Sequence, residues 1–226
     1  MTFFRCAKLT YVLRCAPCAG HPALTRFDEL LRKALCTVIN VSLSDDQWSQ
    51  ASLPIRMGGL GVRGVTLLAS SAFLASAAGS LLLQDRILAQ PQWPLDSEVE
   101  RNQTIWSAIT SMSILQGESA SRQSKWDELV SHTQFQSLLD KQSDKVEQAR
   151  LKAVSAPHSG DWLTALPISA CGLRMDNEAI RVAVGLRLGA RICEAHKCIC
   201  DAAVDARGLH CLSCKRSGGR MSRHQH

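Results

Sequence analysis

Cysteine and histidine are concentrated at the C-terminal end of this 226-residue chain, and no other feature constrains its folding as strongly. Residues 193–226 hold five of the ten cysteines and four of the seven histidines. Thiolate sulfur and imidazole nitrogen at short spacings are the ligands that zinc prefers. A segment this short has little apolar core, so we expect metal binding to supply much of its folding free energy, on the order of 10 kcal/mol.

The best set of four ligands follows the pattern CxC-x9-H-x3-C and consists of Cys198, Cys200, His210 and Cys214. Three thiolates and one imidazole predict a closed tetrahedral zinc site, which is structural and not catalytic. Gly208 lies between the two pairs, and glycine lets the chain turn back on itself.

Other ligand sets stay open at this point. Cys211 can replace His210, and Cys193 or His196 can enter the site. The CxC spacing also forces a tighter turn than the more usual CxxC spacing. Reduced cysteines without any metal are the alternative interpretation.

A basic tail follows the cysteines. Residues 207–226 carry five basic residues and no acidic one. The four basic residues after the last cysteine are Lys215, Arg216, Arg220 and Arg223. A metal-stabilised turn that leads into a cationic tail suits a phosphate backbone. Because the first forty residues are also rich in basic side chains, we expect RNA and/or DNA to bind the tail and the N-terminal helices. A merely solvated charged face is the alternative.

The bulk composition is that of a globular protein, with 46% apolar residues, 20% charged residues and a net charge of +6. No secretory signal is recognisable, because Arg5, Lys8 and Arg14 interrupt the apolar run at the N-terminus. We therefore expect an intracellular protein, nuclear or cytoplasmic, with free or metal-bound thiols. We expect no membrane partner and no small-molecule substrate.

Helical periodicity predicts a mainly α fold. The ranges Thr2–Arg14 and Leu24–Asn40 both have helical patterns, and the second repeats apolar residues at steps of three and four. The loop between them contains Cys15, Cys18 and His21 at ligand spacing. Since no second cysteine pair accompanies them, thiols in a turn are favoured over zinc.

The segment after these helices contains a cap and a turn. Ser44 predicts a helix N-cap, with Asp45 and Asp46 in the first turn and Gln47 closing a capping box. This explanation of the paired aspartates is favoured over a two-metal site. The range Gly58–Gly61 is favoured as a tight turn over a phosphate cradle, because it lacks the remainder of a P-loop.

The uncharged stretch Gly64–Gln84 is long enough to span a bilayer as a helix. Its serines and its glycine dilute the apolar character, so a buried core helix is favoured. Residues 91–94, PQWP, then predict a linker, and the ranges Asp96–Leu115 and Gln123–Val154 predict polar helices. His158 lies in a second break, and we interpret it as a loop histidine because no nucleophile accompanies it.

One further helix is predicted at Glu178–Leu188. Asp176 or Asn177 caps its start, and Gly189 ends it. Ile180, Val184 and Leu188 share one face, which places two arginines towards solvent, Arg181 and Arg187.

The order of these motifs resembles one region of the non-LTR retrotransposon reverse transcriptases. The motifs are FDELLRKAL, DDQWSQASLPIRMGGLGVR and HSGDWLTALPISACGLRMDNEAIRVAVGLRLGA, followed by the cysteine cluster. In that family the region runs from the thumb helices to a Cys-Cys-His-Cys zinc knuckle before a restriction-like endonuclease. The resemblance implies the ligand set given above.

The resemblance also predicts an organisation and a function. We expect a thumb-like helical region at 1–90, a polar helical linker region at 91–157, and a small helical segment with a zinc-knuckle-like tail at 158–226. The aspartates of a polymerase palm and the carboxylates of a nuclease are missing, so we expect no enzyme. The expected function is that of a retroelement-derived fragment that binds nucleic acid. The alternative is a helical scaffold or protein-interaction fragment without zinc.

Overall fold

The computed structural model describes residues 7–87 and 97–216, and its mainly helical content confirms the predicted fold class. The helices of those residues are α1 (Ala7–Cys15), α2 (Pro22–Ile39), α3 (Asp45–Ser52), α4 (Val65–Ile87), α5 (Ser97–Thr110), α6 (Gln123–Lys141), α7 (Lys145–Val154), α8 (Asn177–Leu188) and α9 (His210–Ser213). Two short antiparallel strands precede α9, namely β1 (His196–Lys197) and β2 (Ala203–Val204). Short 3-10 turns occupy Ile55–Met57, Gly117–Ser121, Asp161–Leu163 and Ser169–Cys171.

Helix α2 has well-defined ends. His21 caps its start, because the imidazole Nδ1 accepts a hydrogen bond from the Ala23 N–H at 3.2 Å. Asn40 ends the helix with a φ of 52°, the left-handed conformation common at C-termini. The predicted apolar face is buried along most of its length, although Leu30 and Val38 are exposed.

The predicted capping box of α3 is confirmed. The Gln47 N–H donates to Ser44 Oγ at 3.2 Å, and the Ser44 N–H donates to Gln47 Oε1 at 2.9 Å. Asp45 lies 2.7 Å from a guanidinium nitrogen of Arg32, so this aspartate forms an ion pair in addition to its place in the first turn.

Helix α4 contains the uncharged stretch and is the one described helix long and apolar enough to cross a membrane. Its N-terminal half is buried and contacts α1, α2, α5 and α6, which agrees with the prediction of a core helix. Its end differs from that prediction, because Leu81, Leu82, Leu83 and Ile87 are exposed. Leu82 is 80% exposed, which makes the end of α4 an apolar surface.

Residues 97–157 form three helices where the sequence predicts two. The predicted helix 123–154 is divided into α6 and α7, because the Asp144 side chain accepts the Val146 N–H at 2.8 Å and caps a new helix. Trp106 and Trp126 are both buried, with ring centroids 4.8 Å apart and an edge-to-face angle of 80°. The linker predicted at 91–94 lies outside the described residues.

The largest apolar cluster joins α2, α3 and α8 through Leu31, Leu35, Ile39, Leu43, Ala51, Leu60, Val62, Leu163, Val184, Leu188 and Ala190. Residues of the first and third predicted regions therefore share a core. The division at 90 and 157 stays a prediction.

The structure corrects one expectation for α8. The caps are as predicted, with Asp176 at the start and Gly189 at the end. Arg187, however, is only 4% exposed, so its predicted position in solvent is wrong. Three backbone carbonyls provide the physical reason, because its guanidinium donates to the oxygens of Ile55, Gly59 and Ser159 at 2.7, 3.0 and 3.0 Å.

The glycine segment forms the tight turn that was predicted. Gly58 and Gly61 have φ values of 85° and 72°, which glycine adopts readily. At Gly59 a Cβ would lie 2.0 Å from the carbonyl oxygen of Leu53. The Gln50 side chain donates to the Gly58 oxygen at 2.9 Å. The turn thus brings backbone oxygens to polar side chains inside the core.

Candidate metal centre

Residues 191–216, here called the knuckle segment, begin with a β-hairpin. Strands β1 and β2 pair in the register His196 with Val204. At the turn the Cys198 N–H donates to the Ala202 oxygen at 2.9 Å, and Asp201 has a φ of 64°. This tight turn carries the first two cysteines of the predicted set, Cys198 and Cys200, which are separated by one residue.

The chain then turns back towards the hairpin. Gly208 adopts a φ of 68°, and Asp205 Oδ1 accepts the Leu209 N–H at 3.2 Å. Helix α9 starts at His210 and ends one residue before Cys214. The second pair of candidate ligands therefore lies at the two ends of one helical turn.

Cys198, Cys200, His210 and Cys214, here called the Cys/His cluster, are brought together by these two turns. Their ligand atoms all lie within 4.8 Å of one another, and this is the one group of three or more metal-binding side chains among residues 7–87 and 97–216. The group can hold a metal ion.

The spacing of the ligand atoms fits tetrahedral coordination of a metal ion. The Sγ atom of Cys214 lies 3.6 Å from that of Cys198 and 3.8 Å from that of Cys200, and the sulfur of Cys200 lies 3.2 Å from His210 Nε2. Zinc bonds of about 2.3 Å to sulfur and about 2.0 Å to nitrogen give tetrahedral edges of about 3.8 and about 3.5 Å. A disulfide requires about 2.05 Å between sulfurs, so these cysteines are free.

The electrostatics of the cluster favour a cation. The backbone N–H of Cys200 lowers the pKa of the Cys198 thiol to about 6. The N–H of Arg216 lowers the pKa of Cys214, but burial and the neighbouring sulfurs outweigh it, so the net pKa is raised. Because adjacent thiolates repel one another, the cluster becomes fully deprotonated most readily when a cation neutralises it.

The three alternative ligands lie outside the cluster. The Cys193 sulfur contacts the carbonyl oxygens of Asp205 and Ala206 at 3.3 and 3.6 Å. The His196 Nδ1 atom lies 2.8 Å from the Glu194 oxygen. Cys211 is exposed on α9.

The first part of the basic tail lies beside the cluster. Lys215 and Arg216 are both exposed, and Arg216 Nη1 donates to the Ile199 oxygen at 2.9 Å. Because Ile199 lies between the two hairpin cysteines, this bond ties the start of the tail to the hairpin turn. Arg220 and Arg223 lie outside the described residues.

The other candidate sites have structural explanations. His21 serves as the cap of α2, and it forms no metal-binding group with Cys15 and Cys18. His158 lies in a loop, as predicted, with its Nδ1 atom 2.9 Å from Asp161 Oδ2. Both side chains of this pair are exposed.

Arg207 is a residue of the knuckle segment that the sequence patterns do not predict as important. Its guanidinium forms ion pairs with Glu147 and Asp144 of the α6–α7 region. Its contact with the helices cannot be predicted from the local sequence, because Glu147 and Asp144 lie about sixty positions earlier in the chain.

Comparisons of the chain with protein-family models, curated proteins and solved structures find no match. The resemblance to non-LTR retrotransposon reverse transcriptases therefore rests on the sequence motifs. What it implies about function is a proposal.

Proposed function

We propose that the Cys/His cluster binds one structural zinc ion and that the folded knuckle segment presents a basic surface to nucleic acid. The observation that carries this proposal is the convergence of three sulfurs and one imidazole nitrogen at tetrahedral spacing. Soft thiolate ligands favour zinc over magnesium or calcium, which prefer oxygen. All four ligand positions are protein atoms, so the zinc stabilises the fold and leaves no open site for catalysis.

The wider proposal is a non-catalytic, retroelement-derived chain that binds RNA or DNA inside the cell. The motif order of the sequence supports the origin, and the exposed Lys215 and Arg216 support a phosphate-binding role. The zinc site holds the hairpin turn, and the bond from Arg216 to Ile199 places the first basic side chains next to it. Zinc thus orders the surface that contacts the phosphates.

Metal analysis of reduced, purified protein tests the zinc site. We expect one zinc per chain in the wild type and close to none in Cys198→Ser and Cys214→Ser. The matched control is Cys211→Ser, which removes an exposed thiol between the last two ligands and keeps the zinc. Equal loss of zinc in all three variants, or no zinc in the wild type, contradicts the proposed ligand set.

Nucleic-acid binding is tested by titration at several salt concentrations. Neutralisation of phosphates releases counterions, so we expect the affinity to fall steeply between about 50 and about 200 mM salt. Lys215→Ala with Arg216→Ala weakens binding and reduces the salt slope, whereas zinc stoichiometry stays at one. No binding of single- or double-stranded RNA or DNA at low salt by zinc-loaded protein overturns the nucleic-acid role.

The end of α4 favours a second candidate function. Leu81, Leu82, Leu83 and Ile87 form an exposed apolar surface among the described residues, and such surfaces often bind other proteins. A scaffold that uses this surface binds its partner with little dependence on salt. The salt titration therefore separates the two functions.

A further inference from the structure

We infer that Arg207 is a positioning residue that fixes the zinc-bound knuckle segment onto α7, so that zinc affinity and the stability of the helices are coupled. The helices α1 to α8 with their connections, residues 7–87 and 97–190, are here called the helical body. The inference rests on the proposed zinc site and adds a fixed orientation to it. It concerns a contact outside the Cys/His cluster.

The contact itself is a half-buried group of charges. Arg207 Nη1 pairs with Glu147, and Nη2 lies 4.0 Å from Asp144 Oδ2. Within the knuckle segment, Asp205 Oδ2 lies 3.4 Å from Arg207 Nε and orients the same guanidinium. The side chains of Arg207 and Glu147 are 28% and 17% exposed, so solvent screens their pair less than it screens a surface ion pair.

The charges continue into the helical body. Glu147 also accepts from Arg150 Nε at 2.9 Å, and Arg150 donates to the Arg187 oxygen and, at 3.0 Å, to Gln50 Oε1. Gln50 in turn donates to the Arg187 oxygen at 2.9 Å. Arg207 therefore reaches, through two side chains, the backbone of the helix that carries the buried Arg187.

Arg207 is also close to the proposed ligands along the chain. It lies three residues before His210, and Gly208 between them provides the turn. A second contact supports the same placement, because Ile192 packs against Gly185 of α8, where a Cβ would lie 2.2 Å from Ile192 Cγ2. The knuckle segment is thus held on α7 by charge and on α8 by packing.

Coupling follows from thermodynamic linkage. Zinc binding selects the folded knuckle segment, and only the folded segment places Arg207 against Glu147. Any free energy gained in that contact therefore strengthens zinc binding, and zinc binding strengthens the helical body by the same factor.

The test measures zinc affinity and thermal unfolding in Arg207→Gln and Glu147→Gln, with exposed Arg174→Gln as the control. A chelator competition gives the dissociation constant, and the cobalt spectrum reports the ligand set. We expect each of the first two variants to weaken zinc binding by about fivefold to about twentyfold, with an unchanged cobalt spectrum. Arg174→Gln stays within about twofold of the wild type.

Unfolding followed by helical circular dichroism separates positioning from general destabilisation. In metal-free protein we expect Arg207→Gln to unfold at the wild-type temperature, because its contact requires the folded knuckle segment. With zinc, the increase in unfolding temperature is smaller in the variant than in the wild type. Arg207→Lys, which keeps the charge, recovers part of that increase.

The outcomes distinguish this inference from the proposed function. If the wild type binds no zinc, both are overturned. If the wild type binds zinc but Arg207→Gln and Glu147→Gln match the Arg174→Gln control, only the positioning role is overturned. A double variant of Arg207 and Glu147 whose effect equals the sum of the single effects also overturns it, because contacting residues give non-additive effects.

Discussion

The helical body and the knuckle segment each contain a polar centre, and the two centres are completed in different ways. In the helical body, three backbone carbonyls accept hydrogen bonds from Arg187, which needs no further partner. In the knuckle segment, the three sulfurs of the Cys/His cluster repel one another once they are deprotonated. The first centre is complete within the chain, whereas the second is completed by a cation.

The two regions also differ in their apolar cores, which are extensive in the helical body and very small in the knuckle segment. Four clusters of buried apolar side chains stabilise the helical body. In the knuckle segment the buried apolar side chains are those of Val204 and Cys214. Burial of so little surface does not offset the entropy of ordering the 26 residues of this segment, at about 1–2 kcal/mol each. We therefore expect one region to fold without metal and the other to require it.

The largest expected effect is that of acidification, which releases zinc from the Cys/His cluster and leaves the contacts of Arg187 in place. Zinc competes with protons for the thiolates, so the stabilisation by zinc is present at high pH and is lost as the pH falls. Because the pKa of Cys214 is raised, at least one proton is released on binding at neutral pH. The affinity then falls by about tenfold or more per pH unit, which is at least about a thousandfold between pH 8 and 5.

Competition with a chelator at each pH measures this change. The Arg187 guanidinium stays protonated over the same range, so its contacts persist. A zinc affinity that is constant between pH 8 and 5 contradicts thiolate ligation.

Replacement of Arg187 disturbs the polar centre of the helical body. Arg187→Met leaves three buried carbonyls without their donor, and we expect a loss of about 4 kcal/mol in the free energy of unfolding. Urea unfolding of the metal-free protein measures it. The matched control on the same helix is Arg181→Met, at an ion pair with Glu178, where the loss is below about 1 kcal/mol. Equal losses in the two variants contradict a stabilising role of the three hydrogen bonds from Arg187.

The turn at Gly58–Gly61 approaches the end of α3 closely at Gly59, and Gly79 in α4 is the matched control. In Gly59→Ala the new Cβ meets the Leu53 oxygen, and we expect a loss of about 2 to about 3 kcal/mol in the free energy of unfolding. In Gly79→Ala, inside α4, the nearest atom lies at 3.7 Å, so alanine fits and stabilises the helix by about 0.5–1 kcal/mol. Effects of the same sign in urea unfolding contradict this geometry.

The smallest effect is expected at the capping box. Ser44→Ala removes the acceptor of the Gln47 N–H and costs about 1 kcal/mol. Thermal unfolding measures it as a small decrease of the midpoint. Ser143→Ala, just before the cap of α7, is the control that leaves the midpoint unchanged.

Local signals predicted local structure well. The capping box at Ser44 and the caps of α8 followed from side chains that bond to neighbouring backbone groups. The short spacing within the Cys/His cluster predicted which four residues lie together. In each case the interacting groups are close in the sequence.

Contacts between distant segments could not be predicted in this way. Arg187 is buried because carbonyls about 130 and about 30 positions earlier reach it. Arg207 lies in a turn and pairs with Glu147 of α7. This partner is sixty positions earlier in the chain, so local patterns could not predict it either. The exposed end of α4 differs from its predicted burial because an apolar composition alone does not specify a packing partner.

Hydrogen exchange with and without zinc shows whether the knuckle segment folds around a metal. We expect chelation to remove the protection of amides in 196–214, while α2, the first half of α4 and α8 keep most of theirs. We also expect zinc to restore the protection at one equivalent. Equal protection of the knuckle segment in metal-free and zinc-loaded protein would contradict the claim that this segment folds around a metal.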